Sequence, residues 1–133
     1  ADALGGASKA LALSVDYAKI REQFGVPIGS FQAVKHQLAN MTLLVEPSRA
    51  LCWYAAHAFD QKQSDQHRVA ALAKAHLAES YTAVTRGAIQ IHGGIGYTWE
   101  HEMQIYFRRA LFDHAYLGLP SLHRERVASL AGW

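Results

Sequence analysis

The chain has 133 residues, half of them hydrophobic, and a formal net charge of +2. This length and composition suffice for one domain with its own core, and a charged fraction of 18% argues against disorder. The small charge, with Lys and Arg scattered along the chain, argues against nucleic-acid binding. No apolar run is long enough to span a membrane. The single cysteine, Cys52, cannot form an internal disulfide, and we expect a cytoplasmic protein.

Hydrophobic periodicity predicts helices for almost the whole chain. A first helix is predicted for about residues 2–20, followed by a loop over 21–30, which contains two glycines and a proline. Ser30 is expected to cap a second helix over about 31–60. Pro47 lies inside that helix and should kink or split it.

A third helix is predicted for about residues 65–91, and Gly93-Gly94 should end it. Thr98 is expected to cap a fourth helix that continues to about Tyr116. A last short helix should begin at Pro120 and end near residue 131.

The fold class predicted from these elements is all-α, an antiparallel up-and-down four-helix bundle with a short extra C-terminal helix. Small and apolar residues cover more than one stripe of the first helix, so we expect this helix to be buried on two sides. The chain lacks an initial Met, and its apolar pattern is already established by Leu4. We therefore expect residues 1–133 to be one domain of a longer chain.

Two segments have the composition of ligand-binding loops. The first is Arg21-x-x-Phe24-Gly25, in which a guanidinium beside a flexible turn could bind a phosphate through two parallel hydrogen bonds. The alternative is a surface arginine in an ordinary connecting loop. The spacing of the residues alone does not decide between them.

The second segment runs from Gln90 to Thr98 and has three glycines in four positions. Glycine lets the backbone approach a ligand closely, and a following helix N-terminus would favour an anion. The alternative is a helix C-cap followed by a turn, which needs glycine for the same steric reason. The segment lacks the preceding strand and the spacing of a dinucleotide-binding fold.

Other kinds of site have weaker support. The eight histidines show no metal-ligand spacing, so we expect no metal site. The sequence has no Gly-x-Ser-x-Gly motif, which argues against a nucleophilic serine.

Taken together, the motifs resemble those of the acyl-CoA dehydrogenase family, and the likeness extends over nearly the whole chain. The matching segments, in order, are Ala3–Ala7, Tyr17-Ala18, Arg21–Ile28, Phe31–His36, Leu38-Ala39, Gln90–Tyr97 and Arg108–Ala110. This resemblance implies that the chain is the C-terminal helical domain of a protein that also has an N-terminal helical domain and a middle β-domain.

The resemblance also implies that FAD is the cofactor and that it binds at a subunit interface, in a dimer or tetramer. In the family, the Arg-x-x-Phe-Gly loop reaches the pyrophosphate of the neighbouring subunit's cofactor, and the glycine segment lies near the adenosine half. The cofactor-binding candidates carried over in this way are Arg21, Gln23, Phe24, Gln32, Gln90, Gly93 and Gly94.

The implied reaction is α,β-dehydrogenation of an acyl-CoA thioester, with an electron-transfer flavoprotein as a further partner. A desolvated carboxylate would remove the α-proton. The family commonly carries this glutamate in a Tyr-Glu-Gly-Thr segment, which falls here on residues 116–119. Leu117 occupies the position of the base, and Leu119 replaces a threonine that often contacts FAD. The sequence therefore predicts that the usual catalytic residue is absent.

Nearby acids do not restore the base in an obvious way. Asp113 lies one turn before Leu117, but we expect it to be an exposed helix carboxylate, and Glu100 and Glu102 are expected to be charges of the fourth helix's first turns. Three explanations stay open: a base upstream of Ala1, a base on a different subunit of a hetero-oligomer, or a domain that serves binding and assembly. A divergent flavoprotein, monooxygenase-like or DNA-associated, is a further alternative.

Overall fold

The computed structural model describes all 133 residues and contains five α-helices and one short β-hairpin. The α-helices are α1 (Asp2–Ile20), α2 (Gln32–Asp60), α3 (Gln66–His92), α4 (Met103–Ala115) and α5 (Pro120–Leu130). The hairpin strands are β1 (Glu22–Gln23) and β2 (Val26–Pro27), and short 3-10 turns span Ile28–Ser30 and Gly93–Tyr97. The all-α prediction is confirmed, and no helix is long and apolar enough to cross a membrane.

Contacts between helix ends define the directions of the first four helices. Asp2, at the start of α1, binds Arg109 in the middle of α4, and Lys74, near the start of α3, donates to the Asp113 carbonyl near the end of α4. Tyr17, near the end of α1, stacks on His92 at the end of α3. Gln37, near the start of α2, donates a hydrogen bond to the Gly87 carbonyl near the end of α3. Helices α1 and α3 are therefore parallel, and α2 and α4 run the other way.

The most buried helix is α3. It contacts α1, α2, α4 and α5, and 15 of its 27 residues are buried. The buried stripe of α1 consists of small residues, Ala7, Ala10, Ser14 and Ala18. Small side chains allow two helix backbones to approach closely, so α1 packs against α3 while its leucines lie at the flanks, half-buried. The helix buried on several sides is therefore α3, where the sequence pattern pointed to α1.

Some predicted helix boundaries were wrong. The Ser30 hydroxyl donates to the Pro27 carbonyl, so it does not cap α2, which begins after Phe31 without a side-chain cap. The Thr98 hydroxyl likewise donates to the Ile95 carbonyl, and α4 begins only at Met103. In both cases the side chain stabilises the preceding turn through a local hydrogen bond, a known competitor of helix capping.

The proline in α2 does not split the helix. Pro47 lies within one continuous helix that ends at Asp60. The proline lacks an N–H, so the carbonyl of Leu43, four residues earlier, loses its helical partner while the rest of the helix continues.

Candidate functional site

The segment that carries the arginine motif is a tight β-hairpin and not an irregular loop. Gln23 pairs with Val26, and the two residues between them, Phe24 and Gly25, have φ values of 56° and 78°. Two consecutive positive φ values are typical of the two-residue turns that match strand twist. The Arg21 main chain anchors the hairpin, because its N–H donates to the Tyr17 carbonyl and its carbonyl accepts from Ile28.

This hairpin presents its side chains to solvent. Phe24 is 93% exposed and lies edge-on to Phe31, with 6.1 Å between ring centroids. The Arg21 guanidinium is exposed and takes part in none of the ion pairs of the chain. The main chain of this arginine is held in place while the N–H groups of its guanidinium have no partner, so it can bind an anion that does not belong to this chain.

The glycine segment both ends α3 and continues as a 3-10 turn. Gly93 caps the helix with φ 65° and ψ −144°, and its N–H donates to the carbonyls of Ile89 and Gln90. Cβ atoms at Gly93 and Gly94 would meet no atom of the chain within 4 Å, so open space lies beside this backbone. The C-cap interpretation is therefore correct, and the space also leaves room for a ligand. Helix α4 does not begin directly after the glycine segment, because residues 98–102 separate Tyr97 from Met103.

Both segments lie at the same end of the bundle. Stacking of Tyr17 on His92, with 4.5 Å between ring centroids, joins the end of α1 to the end of α3. The His92 ring also lies 4.5 Å from that of His101, and His92 Nδ1 is 2.8 Å from the Ala88 carbonyl oxygen. Burial lowers the pKa of His92, a shift to which the nearby His101 adds while the Ala88 hydrogen bond opposes it. This aromatic stack fixes the glycine segment relative to the arginine hairpin.

The amide candidates surround the same end. Gln32 is the first residue of α2 and is exposed. Gln90 is exposed on the last turn of α3, where its side-chain oxygen accepts a hydrogen bond from Gln37 at 3.2 Å, so its NH₂ group stays available as a donor. The Gln23 amide donates to the Glu22 carbonyl. The seven predicted cofactor residues thus belong to one region, and none of them lines either of the two clefts beside Leu117.

Position 117, where the family's base would stand, lies at the opposite end of the bundle. Leu117 follows α4 with φ 62°, in the left-handed region that non-glycine residues rarely adopt, and is 73% exposed. Helix α4 has 13 residues, a length of about 20 Å. A compact ligand at the arginine hairpin could not also touch Leu117 of the same chain.

A cavity of about 510 Å³ opens beside Leu117, between the start of α1, the end of α2, the start of α3 and the end of α4. Its walls are mostly small and apolar. The apolar lining includes Ala55, Ala56, Ala70, Ala73, Leu77 and Ala78. Three charged residues, Asp2, Lys74 and Asp113, also line the cavity. Such an apolar space with a few convergent polar groups is typical of small-molecule sites.

Asp113 lies in a different environment from the one expected. It is only 9% exposed, and its Oδ2 atom is buried with no hydrogen-bond partner. Arg109 Nε lies 2.7 Å from Asp2 Oδ2 and 3.5 Å from Asp113 Oδ1, and Lys74 Nζ donates to the Asp113 main-chain carbonyl. The expectation of an exposed helix carboxylate failed because α4 turns this face toward α1 and α3.

The environment separates the pKa values of the two carboxyl groups. Burial raises the pKa of Asp113, as do the hydrogen bond and the negative charge of Asp2, while the charges of Arg109 and Lys74 act against this shift. A hydrogen bond from Arg109 lowers the pKa of Asp2. Burial also lowers the pKa of Lys74, and raises that of Tyr81 beside the same cluster to about 12. Carboxyl pairs whose pKa values are pushed apart are a common feature of acid–base sites.

The sequence held only a partial signal for this cluster. Arg109 and Asp113 are four residues apart on one helix, a spacing that places them on the same face. Asp2 and Lys74 lie far away in the sequence, so only the packing of α1, α3 and α4 shows their proximity. Glu100 and Glu102 stay outside the cavity: Glu102 is the residue directly before α4, where it makes no side-chain cap and accepts a hydrogen bond from Tyr106. No cluster of three or more histidine, cysteine or acidic residues could hold a metal ion.

Comparison with known proteins gives a consistent result over the whole chain. Residues 1–131 match the sequence profile of the acyl-CoA dehydrogenase C-terminal domain. The acyl-CoA dehydrogenase IpdE2 of Mycolicibacterium smegmatis is 45% identical over 130 residues, which cover 98% of this chain and 39% of that protein.

Solved structures show the same similarity. Butyryl-CoA dehydrogenase from Megasphaera elsdenii superimposes with a TM-score of 0.94 at 33% identity, over 98% of this chain and 34% of that one. The FAD complex of PigA gives a TM-score of 0.92 at 28% identity, again over 98% and 34%. The chain therefore spans between a third and two fifths of the length of these three proteins.

Proposed function

The chain belongs to the acyl-CoA dehydrogenase family, and we propose that it acts as the C-terminal helical domain, residues 1–133, of a longer FAD-dependent enzyme that introduces an α,β double bond into an acyl-CoA thioester. The match to the C-terminal domain over residues 1–131 supports this. The chain's share of its relatives' length leaves room for further domains that would complete the cofactor site.

We further propose that the arginine hairpin binds the FAD of a neighbouring subunit. The observation that carries this proposal is the Arg21 guanidinium, which is exposed and unpaired while its main chain is held by two hydrogen bonds. The donor set fits a dinucleotide, since guanidinium suits the pyrophosphate and the amides of Gln23, Gln32 and Gln90 can bind hydroxyl and ring-nitrogen groups. Gly93 and Gly94 leave space for the adenosine half.

Exposed apolar side chains support a subunit interface at the same end. Ile20, Phe24, Tyr97 and Trp99 are between 72% and 93% exposed, and all four lie near the hairpin or the glycine segment. Large apolar side chains grouped on a surface commonly mark contacts with another protein chain. We propose a homo- or hetero-oligomer, a dimer or tetramer, in which these residues are covered.

When bound, FAD would accept the β-hydrogen of the substrate as hydride. The residues of this chain would hold the cofactor and form part of the acyl site, with an electron-transfer flavoprotein receiving the electrons. The base at position 117 is absent, so the α-proton must be removed by another group. The cavity beside Leu117 is the space in which this chain would contact the acyl group.

The test is flavin content and flavin bleaching of the complete polypeptide, with any partner chain that co-purifies. We expect bound FAD, and loss of oxidised-flavin absorbance when short-, medium- and long-chain acyl-CoA thioesters are added without oxygen. Bound FAD that no acyl-CoA reduces would contradict the dehydrogenase activity. Absence of FAD from every oligomer would contradict the cofactor role as well, and would favour a domain that serves assembly.

A further inference from the structure

The cavity beside Leu117 is wider than a single carbon chain. Its lining covers α2 from Cys52 to Phe59 and α3 from Ala70 to Ala78. At about 1.5 Å per residue, these two stretches are about 11 and 12 Å long. A volume of about 510 Å³ spread over such a length corresponds to a mean width of about 7 Å. Carbon atoms in contact lie about 3.5–4.0 Å apart, so two carbon atoms fit abreast across this space.

The width results from small side chains on the two helices that face each other across the cavity. The lining residues of α2 and α3 include Ala55, Ala56, Ala70, Ala73 and Ala78. Ala56 is exposed, and Ala55 and Ala70 are half-buried, so no other side chain of this chain covers them fully. Protein interiors are close-packed, and larger apolar residues at these positions would close the space. An open apolar space of this size therefore indicates an occupant.

The charged groups of the lining bind one another and leave an apolar wall. Asp2 and Asp113 both lie against Arg109, and Lys74 donates to the Asp113 main-chain carbonyl. These contacts are complete without a ligand. An occupant of the cavity therefore meets mainly alanine, leucine and aromatic surface, and an apolar occupant gains most from leaving water there.

We propose that the cavity selects an acyl group that carries a saturated carbon ring, and that Ala56 and Ala70 are the residues that admit the ring. The inference rests on the dehydrogenase function proposed above, in which the cavity contacts the acyl group, and adds the class of substrate. Leu117 lines the cavity and occupies the position of the family's base. The reacting carbons therefore belong near Leu117, and the ring lies deeper, between α2 and α3.

A ring fits the cavity better than two other acyl shapes. A straight chain is one carbon wide at every point, so it would leave about half of the width empty or filled with water against apolar walls. A methyl branch widens the chain at one carbon only. A ring keeps two carbon atoms abreast over its whole length. It also loses little conformational freedom on binding, because its bonds do not rotate freely.

Thioesters with the same number of acyl carbon atoms but different shapes test this proposal. In 3-cyclohexylpropanoyl-CoA the ring follows the β-carbon, whereas nonanoyl-CoA is straight and 4-methyloctanoyl-CoA has a single branch. The complete, flavin-loaded protein, with any partner chain that co-purifies, is assayed with each thioester and an artificial electron acceptor. We expect kcat/KM to favour the cyclohexyl thioester at least about tenfold, the low end of the effect of one methylene in an apolar pocket. The branched thioester should behave as the straight one.

Filling the cavity tests where the ring binds. Ala56→Phe and Ala70→Phe each place a protein ring in the space proposed for the substrate ring. Neither alanine is fully buried, so the larger side chain extends into the cavity without displacing packed neighbours. Each variant should lower kcat/KM for the cyclohexyl thioester at least about tenfold more than for nonanoyl-CoA. The matched control, Ala50→Phe, adds the same side chain at an exposed position of α2 outside the cavity and should keep the wild-type ratio.

The comparison of thioesters on the wild-type protein needs no variant, so it does not depend on the folding of the substituted chains. Equal kcat/KM for the cyclohexyl and straight thioesters, or a preference for the straight one, would overturn the proposal. A ring preference that persists unchanged in both cavity-filling variants would overturn the assignment to this cavity. In each of these cases turnover itself upholds the dehydrogenase function. Absence of flavin bleaching with every thioester would instead contradict that function, and the proposal with it.

Discussion

The ring of Tyr81 lies against the backbone of Gly6, so closely that a Cβ atom at Gly6 would come within 2.2 Å of the phenolic oxygen and 2.3 Å of the adjoining ring carbon. Tyr81 is 1% exposed and among the largest fully buried side chains of the molecule. Glycine at position 6 is thus the means by which α1 accommodates a bulky residue of α3. The contact lies one turn from Asp2 and sets how α1 approaches the charged cluster.

This contact predicts opposite effects for two neighbouring alanine substitutions. Gly5→Ala meets nothing within 4 Å and should raise the free energy of unfolding by about 0.5–1 kcal/mol, through helix propensity alone. Gly6→Ala must displace Tyr81 and should lower the free energy of unfolding, since overpacking costs about 1–3 kcal/mol. Urea unfolding of both variants gives the comparison. Equal effects would show that the Tyr81 contact does not limit the space at Gly6.

The sequence contained enough information for the helices and too little for the way they pack. Leu77, Val84 and Ile91 follow one another at a spacing of seven and are all buried, which is what an apolar helical face predicts. Leu72, an apolar residue of the same helix, is exposed. Periodicity identifies an apolar face but not which helix is surrounded by others.

In the candidate site, too, local features could be predicted from the sequence, whereas features that depend on helix packing could not. Sequence motifs identified the hairpin and the glycine segment, because local backbone geometry depends on residues close together in the chain. Asp113 was misjudged because its burial depends on α1 and α3, which are distant in sequence. The hydrogen bonds of Ser30 and Thr98 show why helix starts were also mispredicted: the same hydroxyl can cap a helix or close the preceding turn.

Replacing the exposed arginine tests the cofactor assignment. Arg21→Ala, made in the complete protein, should weaken FAD binding by roughly 10- to 100-fold, which corresponds to loss of about 1.5–3 kcal/mol for hydrogen bonds to a charged group. The fold should be unaffected, because only the Arg21 main chain contributes to the hairpin. Flavin retained after gel filtration, followed by titration of the apoprotein with FAD, gives the measurement. Arg49→Ala, an exposed arginine of α2, is the charge-matched control, and an equal loss in both variants would argue against a specific role.

The stacked histidine at the end of α3 should make stability depend on pH. Burial holds the pKa of His92 below its ordinary value of 6.5, so the unfolded chain binds more protons than the folded one as the pH falls through this region. The contribution of His92 to the free energy of unfolding is therefore complete above pH 6.5 and is lost as the pH falls toward the folded-state pKa.

His92→Phe should keep the stacking on Tyr17 and remove this pH dependence. Thermal unfolding of wild type and variant over the weakly acidic range provides the measurement. His36→Phe, at an exposed position of α2, is the control and should behave as wild type. A slope that persists unchanged in His92→Phe would show that other groups cause it.

The buried carboxyl group of α4 should reduce stability at neutral pH. The pKa of Asp113 is raised in the folded chain, so between the ordinary value of 3.8 and the folded-state value the folded chain holds more protons than the unfolded one. The contribution of Asp113 to stability is therefore complete below pH 3.8 and is lost as the pH rises through the folded-state pKa. Asp113→Asn replaces the charged form by a neutral group of the same size, and we expect it to match or exceed wild type in free energy of unfolding at neutral pH.

Urea unfolding at neutral and at acidic pH provides the measurement, with Asp16→Asn as the exposed control. The advantage of Asp113→Asn should shrink in acid, where the wild-type carboxyl is itself protonated. A clear loss of stability at neutral pH would instead mean that the contacts with Arg109 and Lys74 dominate, and that Asp113 serves mainly to hold α4 against α1 and α3. A gain in stability on removing this carboxylate would show that burial of its charge costs more than its contacts with Arg109 and Lys74 contribute.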